Sequence, residues 1–158
     1  MLWLKGRVLL PLLCFLIPPF LTAQAGIAGA GDFAVDKIDP VSLVGLTLDE
    51  LVSRFGVPRS VYAVRGIEEW QDDVVFVYEQ ADFYVYKDRV WQAGLKEARG
   101  IKIGDPQAVV SLVLGTGGET KDNSVFCSLN EGAWPMMLRF DFDSAGKVRA
   151  IFIYRTDM

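Results

Sequence analysis

The stretch GLTLDELVSRFGVP, residues 45–58, is the clearest structural signal in the chain because it has the pattern of a helix together with signals for both of its ends. Thr47 is a suitable N-cap, and Asp49 and Glu50 follow in the first turn, where acidic side chains are favoured. Gly56 is a typical helix stop. The apolar residues spaced to share one face are Leu48, Leu51, Val52 and Phe55. We therefore predict a short amphipathic helix between Thr47 and Gly56.

A second stretch, GDPQAVVSLVLG at residues 104–115, follows the same plan. Asp105 is the candidate N-cap, Pro106 suits the first turn, and Gly115 is the stop. The expected apolar face consists of Val109, Val110, Val113 and Leu114. An offset of 59 residues aligns the glycines that flank the two helices. This alignment predicts an internal repeat.

After each helix the spacing of apolar residues changes from a period of about 3.6 to a period of about 2, which predicts strands. The expected strands lie near residues 60–64, 74–78, 82–86, 89–95, 124–129, 136–142 and 147–154. We predict an α+β fold of two tandem helix-plus-antiparallel-sheet repeats, residues 40–99 and 100–158, in one combined globular domain. Both helices are expected to pack on one face of the sheet.

The last hairpin is put in register by its turn. Residues 143–147 suit a three-residue loop with Gly146 in the left-handed conformation, so that Asp143 pairs with Lys147. The same count places Asp141 opposite Arg149 on the outer face. The residues then expected to point inward are Phe140, Phe142, Val148, Ala150 and Phe152. Those expected to point outward are Asp141, Asp143 and Arg149.

The corresponding hairpin of the first half suits a two-residue turn at Lys87 and Asp88. The residues expected to face the core are Phe83, Val85 and Val90. The opposite face then carries Tyr84, Tyr86 and Trp91, with Tyr84 directly across from Trp91. Large aromatic side chains on a face that should be wet are typical of a docking surface. The candidate partner-binding residues are Tyr84, Tyr86, Trp91, Trp70 and Trp134.

The N-terminus has the order of a secretory signal. Lys5 and Arg7 precede an apolar run at residues 8–21, and small-residue cleavage sites follow at 23–25 and 28–30. The run is short and interrupted by prolines, which argues against a retained transmembrane helix. We predict a signal peptide at residues 1–25, with cleavage favoured over lipidation of Cys14 because Leu13 does not suit a lipobox. Residues 26–39 are expected to form a flexible lead-in.

Charge and composition exclude several classes of function. The complete chain carries 16 basic and 20 acidic residues, and removal of residues 1–25 takes away Lys5 and Arg7. The remainder, with 14 basic and 20 acidic residues and a net charge of −6, does not suit a nucleic-acid partner. The absence of histidine removes Ser-His and Cys-His catalytic pairs and the commonest zinc ligand.

No cofactor or metal site is predicted. Residues 141–146 imitate the start of a calcium loop, but Phe152 stands at the twelfth position, where an acidic ligand is needed. After cleavage Cys127 is the one remaining cysteine, so an internal disulfide is excluded and Cys127 is expected in the core.

Residues 45–58 and the hairpin ending at residues 142–148 resemble the small outer-membrane assembly lipoproteins of the BamE (SmpA/OmlA) type. Two such units in tandem are similar to the β-lactamase inhibitory protein (BLIP-like) fold. That resemblance, which covers about residues 41–154, implies helices on one face of an antiparallel sheet and a second, concave face that grips a protein. It assigns no individual site residue.

The sequence thus predicts a non-enzymatic exported protein, periplasmic or extracellular, that binds another protein or a cell-envelope component through an aromatic sheet face. Two alternatives stay open. One is a small acid-catalysed hydrolase that uses surface carboxylates among Glu68, Glu69, Asp72 and Asp73. The other is a purely structural domain whose aromatic residues close against a second copy in a homodimer.

Overall fold

The computed structural model describes residues 39–66, 72–130 and 132–158. The fold is α+β, dominated by one large antiparallel sheet. The two helices of the described chain are α1 (Leu48–Phe55) and α2 (Gln107–Leu114). The strands are β1 (Ser60–Val64), β2 (Asp73–Val77), β3 (Ala81–Tyr86), β4 (Arg89–Leu95), β5 (Glu97–Ala98), β6 (Ile101–Lys102), β7 (Glu119–Lys121), β8 (Ser124–Leu129), β9 (Met136–Phe142) and β10 (Val148–Arg155). The predicted signal peptide, Trp70, Glu68 and Glu69 lie outside the described residues.

Helix α1 begins and ends where the sequence predicts. The Thr47 Oγ1 accepts a hydrogen bond of 3.2 Å from the Glu50 N–H, and the Glu50 carboxylate accepts one of 2.8 Å from the Thr47 N–H. These reciprocal bonds form a capping box, which satisfies two backbone donors at the helix start. Gly56 ends the helix with a positive φ of 76°. Val52, predicted to face the core, is instead exposed. Leu51 occupies the inward position of α1, and the next residue of a helix points about 100° away from it.

Helix α2 starts differently from the prediction. Pro106 is its N-cap, and no side chain caps the first turn. The predicted cap, Asp105, is engaged elsewhere, because its carboxylate accepts a hydrogen bond of 2.8 Å from the Lys102 N–H. The predicted apolar face is also narrower than expected, since Val113 is exposed whereas Val110 is fully buried.

Eight strands form one sheet in the order β1-β2-β3-β4-β10-β9-β8-β7, with every neighbouring pair antiparallel. The seven predicted strands are present with ends shifted by at most one residue. Sequence periodicity missed β5, β6 and β7, which are two, two and three residues long. Elements of this length carry too few side chains to display a period of two.

Each main hairpin contains a β-bulge that the predicted register lacks. In β4 the pairing shifts at Trp91, so Tyr84 lies opposite Gln92 and the predicted Tyr84–Trp91 pair is wrong. In β10 the pairing shifts at Arg149, so Ala150 lies opposite Asp141. The turns themselves are confirmed: Lys87 and Asp88 have positive φ angles, and Gly146 has a φ of 70°.

The bulge at Arg149 changes which residues of β10 are inward. Phe140, Phe142 and Val148 are buried as predicted, but Ile151 and Ile153 take the inward places predicted for Ala150 and Phe152. An extra residue on one strand moves every later side chain to the other face, which is the physical reason for this error. Asp141, predicted to be exposed, is only 8% exposed.

One apolar cluster joins the helices to the sheet. It contains Leu51 of α1 and Val110 of α2 together with inward residues of the strands. The fully buried strand residues of this cluster with large side chains are Phe83, Ile101, Leu138, Phe140, Phe142, Ile151 and Ile153. Cys127 is buried in the same cluster, as predicted.

The segment before each helix forms backbone hydrogen bonds with a residue near the start of the strand that follows a hairpin turn. The Gly45 N–H donates to the Val90 carbonyl at 2.7 Å, and the Val90 N–H donates to the Leu46 carbonyl at 2.9 Å. In the second half the Gly104 N–H donates to the Val148 carbonyl at 2.7 Å, and the Val148 N–H donates back to Asp105 at 2.8 Å. Both helix starts are therefore fixed to the two central strands, β4 and β10.

Candidate functional site

The sheet has a second face, opposite the apolar cluster, and this face carries the aromatic residues that the sequence singles out. Strand pairing places Tyr84 between Val75 of β2 and Gln92 of β4, and Gln92 next to Tyr154 of β10. We call this side the aromatic face. Its aromatic members are Tyr62, Tyr84, Tyr86, Trp91, Phe126, Phe152 and Tyr154.

Tyr84, Tyr86 and Trp91 lie on the aromatic face, as predicted, and each is half-buried. The Trp91 Nε1–H donates a hydrogen bond of 2.8 Å to the Asp73 Oδ1 of β2. That bond directs the bulged Trp91 toward β2, across β3. Val75, which lies between Tyr62 and Tyr84 in the ladder, has no exposed surface although it is outside the main apolar cluster. The aromatic side chains therefore build a packed layer on this side of the sheet.

Two carboxyl groups border this aromatic layer. Burial raises the pKa of Asp73 above its usual 3.8, with Asp72 adding to the rise and the Trp91 hydrogen bond opposing it. Burial also raises the pKa of Asp82, and Lys96 offsets part of that rise. Burial likewise raises the pKa of Tyr84, to which nearby Tyr62 and the two carboxylates contribute. The first half of the aromatic face is thus poorly solvated and acidic.

The second half of the aromatic face carries a charged network that the sequence prediction missed. The Asp141 Oδ1 accepts a hydrogen bond of 2.7 Å from the Ser124 hydroxyl and lies 3.0 Å from the Arg139 Nε. The guanidinium of Arg139 stands 4.8 Å from the centroid of the Phe152 ring and 6.0 Å from that of Tyr154. Arg139 and Asp141 are two residues apart on β9, a spacing that puts both on one face and was the available signal.

Trp134 is not joined to the Tyr84 group by any contact among the described residues. Trp134 lies in the loop between β8 and β9, with the Arg155 guanidinium 3.9 Å from the centroid of its ring. Its indole nitrogen approaches the backbone of Gly45, where an added Cβ would come within 2.8 Å. Trp70 lies outside the described residues.

The two carboxylates of the hydrolase alternative that the structure describes, Asp72 and Asp73, do not line a cleft together. Asp72 accepts a hydrogen bond from the Gly66 N–H at 3.1 Å and lies 3.7 Å from Arg65. Asp73 is bound to Trp91 on the aromatic face. A cleft of about 510 Å³ lies elsewhere, beside the 3₁₀ turn Pro40–Leu43 and β5. Its apolar floor includes Leu43, Phe55, Phe83 and Leu95, and its charged rim includes Glu79, Lys96, Glu97 and Arg99.

The two carboxyl groups with raised pKa values, those of Asp73 and Asp82, do not line this cleft. Within residues 39–66, 72–130 and 132–158, no three Asp, Glu, Cys or His side chains are grouped as a metal would require. Nor does this part of the chain contain a helix with the length and apolar character needed to cross a membrane.

Comparison with known proteins gives a single kind of likeness, that of fold. No protein-family model matches the chain, and no curated protein matches it. Among solved structures it is similar to the crystal structure of an extracellular protein containing a SCP domain from Bacillus anthracis str. Ames, with 12% identity and a TM-score of 0.50. The match covers 76% of this chain and 46% of the other, so the chain spans about half the length of that protein.

Proposed function

We propose that the chain is an exported, non-enzymatic protein that binds another protein or a cell-envelope component through its aromatic face. The observation that carries this proposal is the side-by-side placement of Tyr84, Tyr86 and Trp91 on the sheet face opposite the main core. Tyr and Trp supply large contact areas with few rotors to immobilise, and they are enriched among residues that dominate binding. Export rests on the predicted signal peptide at residues 1–25.

We further propose that the fold consists of two tandem helix-plus-sheet repeats of the BLIP-like or BamE-like kind, with both helices on one face. The strand order is symmetric about the central β4–β10 pair. The bulges at Trp91 and Arg149 occupy corresponding places in the two hairpins. The bonds of Val90 to residues 45–46 correspond to those of Val148 to residues 104–105. A protein-gripping sheet face is what the resemblance to BLIP-like proteins implies.

The test is affinity capture from the envelope extract of the source cells with three baits: the mature chain, the double variant Tyr84→Ala with Trp91→Ala, and the control Leu112→Ala. Leu112 is exposed on α2, away from the aromatic face. We expect the mature chain and the control to retain the same protein and the double variant to lose it. Because both side chains are half-buried, the double variant should melt several degrees lower but still unfold cooperatively, since about 1 kcal/mol shifts a domain of this size by some 2–8 °C.

Two results would contradict the proposal. If the double variant melts far lower or aggregates, the aromatic residues belong to the structural core, as in the alternative of a purely structural domain. If it unfolds cooperatively and still captures the same protein as the control, the aromatic face is not the binding surface.

A further inference from the structure

Strand β1 forms one edge of the sheet and is exposed along its whole length. Among the described residues it pairs with β2 alone. Val61 is 50% exposed and Tyr62 is 47% exposed, and all five residues of Ser60–Val64 count as exposed. An apolar edge strand with unpaired backbone groups is a template for the addition of another strand.

The opposite edge of the sheet is protected in the usual way, and this contrast makes β1 informative. Strand β7 has three residues, and two of them, Glu119 and Lys121, are charged. Short length and charged side chains are common means of preventing edge-to-edge association. Strand β1 has neither, because its sequence is Ser-Val-Tyr-Ala-Val. One edge of the sheet is closed to strand addition and the other is open.

The ladder shows which backbone groups of β1 are free. The Tyr78 N–H donates to the Ala81 carbonyl, so alternate residues of β2 from Tyr78 bond to β3. Val75 and Val77 therefore direct their backbone groups to β1, where their partners are Tyr62 and Ser60. The alternating residues of β1, Val61 and Ala63, direct their N–H and carbonyl groups away from the sheet.

The charges beside β1 indicate what can pair with it. Arg59 precedes the strand and Arg65 follows it. Antiparallel pairing of two copies centred on Tyr62 would place Arg59 of one copy opposite Arg65 of the other, and like charges directly opposite are unfavourable. Arg59 has Glu79 at 2.7 Å and Arg65 has Asp72 at 3.7 Å, but both arginines are largely exposed. Exposed pairs are weak and leave guanidinium donors for another carboxylate.

We propose that β1 binds an extended segment of a partner protein, apolar at its centre and acidic at both ends, which adds to the sheet as a ninth strand. Backbone hydrogen bonds to Val61 and Ala63 supply the pairing, and Arg59 and Arg65 select the acidic ends. This surface lies on the edge of the sheet and does not depend on the binding role proposed for the aromatic face.

The test uses a fluorescent peptide, Asp-Val-Thr-Val-Thr-Val-Asp, and a second peptide with lysine at both ends. Fluorescence anisotropy at low salt should show that the mature chain binds the acidic peptide at least tenfold more tightly than the lysine peptide. The double variant Arg59→Glu with Arg65→Glu should reverse that preference. Equal binding of the two peptides, or no binding of the acidic one at about 1 mM, overturns the proposal.

Backbone pairing is tested by a matched pair of variants at one position. Ala63→Pro removes an outward N–H and leaves the ladder to β2 intact, a place where an edge strand tolerates proline. Ala63→Val keeps that N–H. We expect Ala63→Pro to weaken binding of the acidic peptide at least tenfold and Ala63→Val to retain it. Val61→Pro provides a second variant of the same kind if Ala63→Pro melts much lower than the mature chain. Unchanged binding by a folded proline variant contradicts the proposal.

Sedimentation of the unliganded chain tests whether β1 pairs with a second copy of the chain instead of a partner peptide. A dimer that Ala63→Pro converts to a monomer would assign the edge to a second copy of this chain and overturn the proposal. A monomer that binds the acidic peptide supports it. Neither result bears on capture through Tyr84 and Trp91.

Discussion

Among single residues, Asp141 shows the largest difference between the exposure predicted from the sequence and that found in the structure. A register without a bulge makes it an exposed partner of Arg149, whereas it is buried with Ser124 and Arg139. Asp141→Ala should lower the free energy of unfolding by about 1–3 kcal/mol, because it leaves a hydroxyl and a guanidinium without their acceptor. Arg149→Ala, at an exposed position, should cost only a few tenths of a kcal/mol. Urea denaturation of both variants measures the difference, and equal losses would contradict it.

A second residue-scale prediction concerns the charge of Asp82. Burial raises its pKa above 3.8 in the folded chain, so the native state holds this proton more tightly than the unfolded state. Its contribution to stability is therefore greatest below pH 3.8 and is lost as the pH rises through the raised pKa. Asp82→Asn, which carries no charge, should stabilise the chain at about pH 7 and give no gain at about pH 3.

Urea midpoints of the wild type and of Asp82→Asn at the two pH values provide the measurement. The difference between the two proteins, rather than either midpoint alone, isolates Asp82 from other groups that titrate in the same range. A gain of equal size at both pH values would show that the carboxylate charge is not its source.

At the scale of elements, the two helices differ in how they begin. The capping box of α1 satisfies two backbone donors, whereas α2 has no side-chain cap. Thr47→Ala should therefore lower the free energy of unfolding by about 1 kcal/mol. Ser53→Ala, at an exposed position of the same helix, is the control and should have little effect. Thermal unfolding of the two variants tests this prediction, which fails if both melt alike.

Most of the secondary structure, but not its bulges, could be predicted from the sequence. Both ends of α1, the hairpin turns and seven strands were predictable because caps, glycines and alternation are local signals. The bulges at Trp91 and Arg149 were not, because Gly45 and Leu46 bond to Val90, and Gly104 and Asp105 to Val148, from more than 40 residues away. The placement of Tyr84, Tyr86 and Trp91 on one face was predictable from alternation, and the same period places Arg139 and Asp141 of β9 together. The Ser124 partner of Asp141 comes from the pairing of β8 with β9, which alternation within one strand does not give.

At the scale of the whole molecule, the sheet separates a dense core from a thinner aromatic layer. Phe140 has no exposed surface, whereas Phe152 is half-buried beside Arg139. Phe140→Ala should cost about 3–5 kcal/mol, the usual loss for a fully buried phenylalanine. Phe152→Ala should cost clearly less, because part of its ring surface is already in contact with water. Chemical denaturation of the pair checks this, and a larger loss for Phe152→Ala would mean that the main core lies on the other face.

The position of β10 has a consequence for how the chain reaches its native state. Because the strand nearest the C-terminus lies between β4 and β9, a growing polypeptide can form β1–β4 and β7–β9 only as two separate partial sheets. A chain that stops before Val148 lacks the strand that unites them and leaves two further edges exposed. The sheet can therefore be completed only once Val148–Arg155 has been synthesised, so the earlier strands persist as two incomplete sheets until that segment joins them.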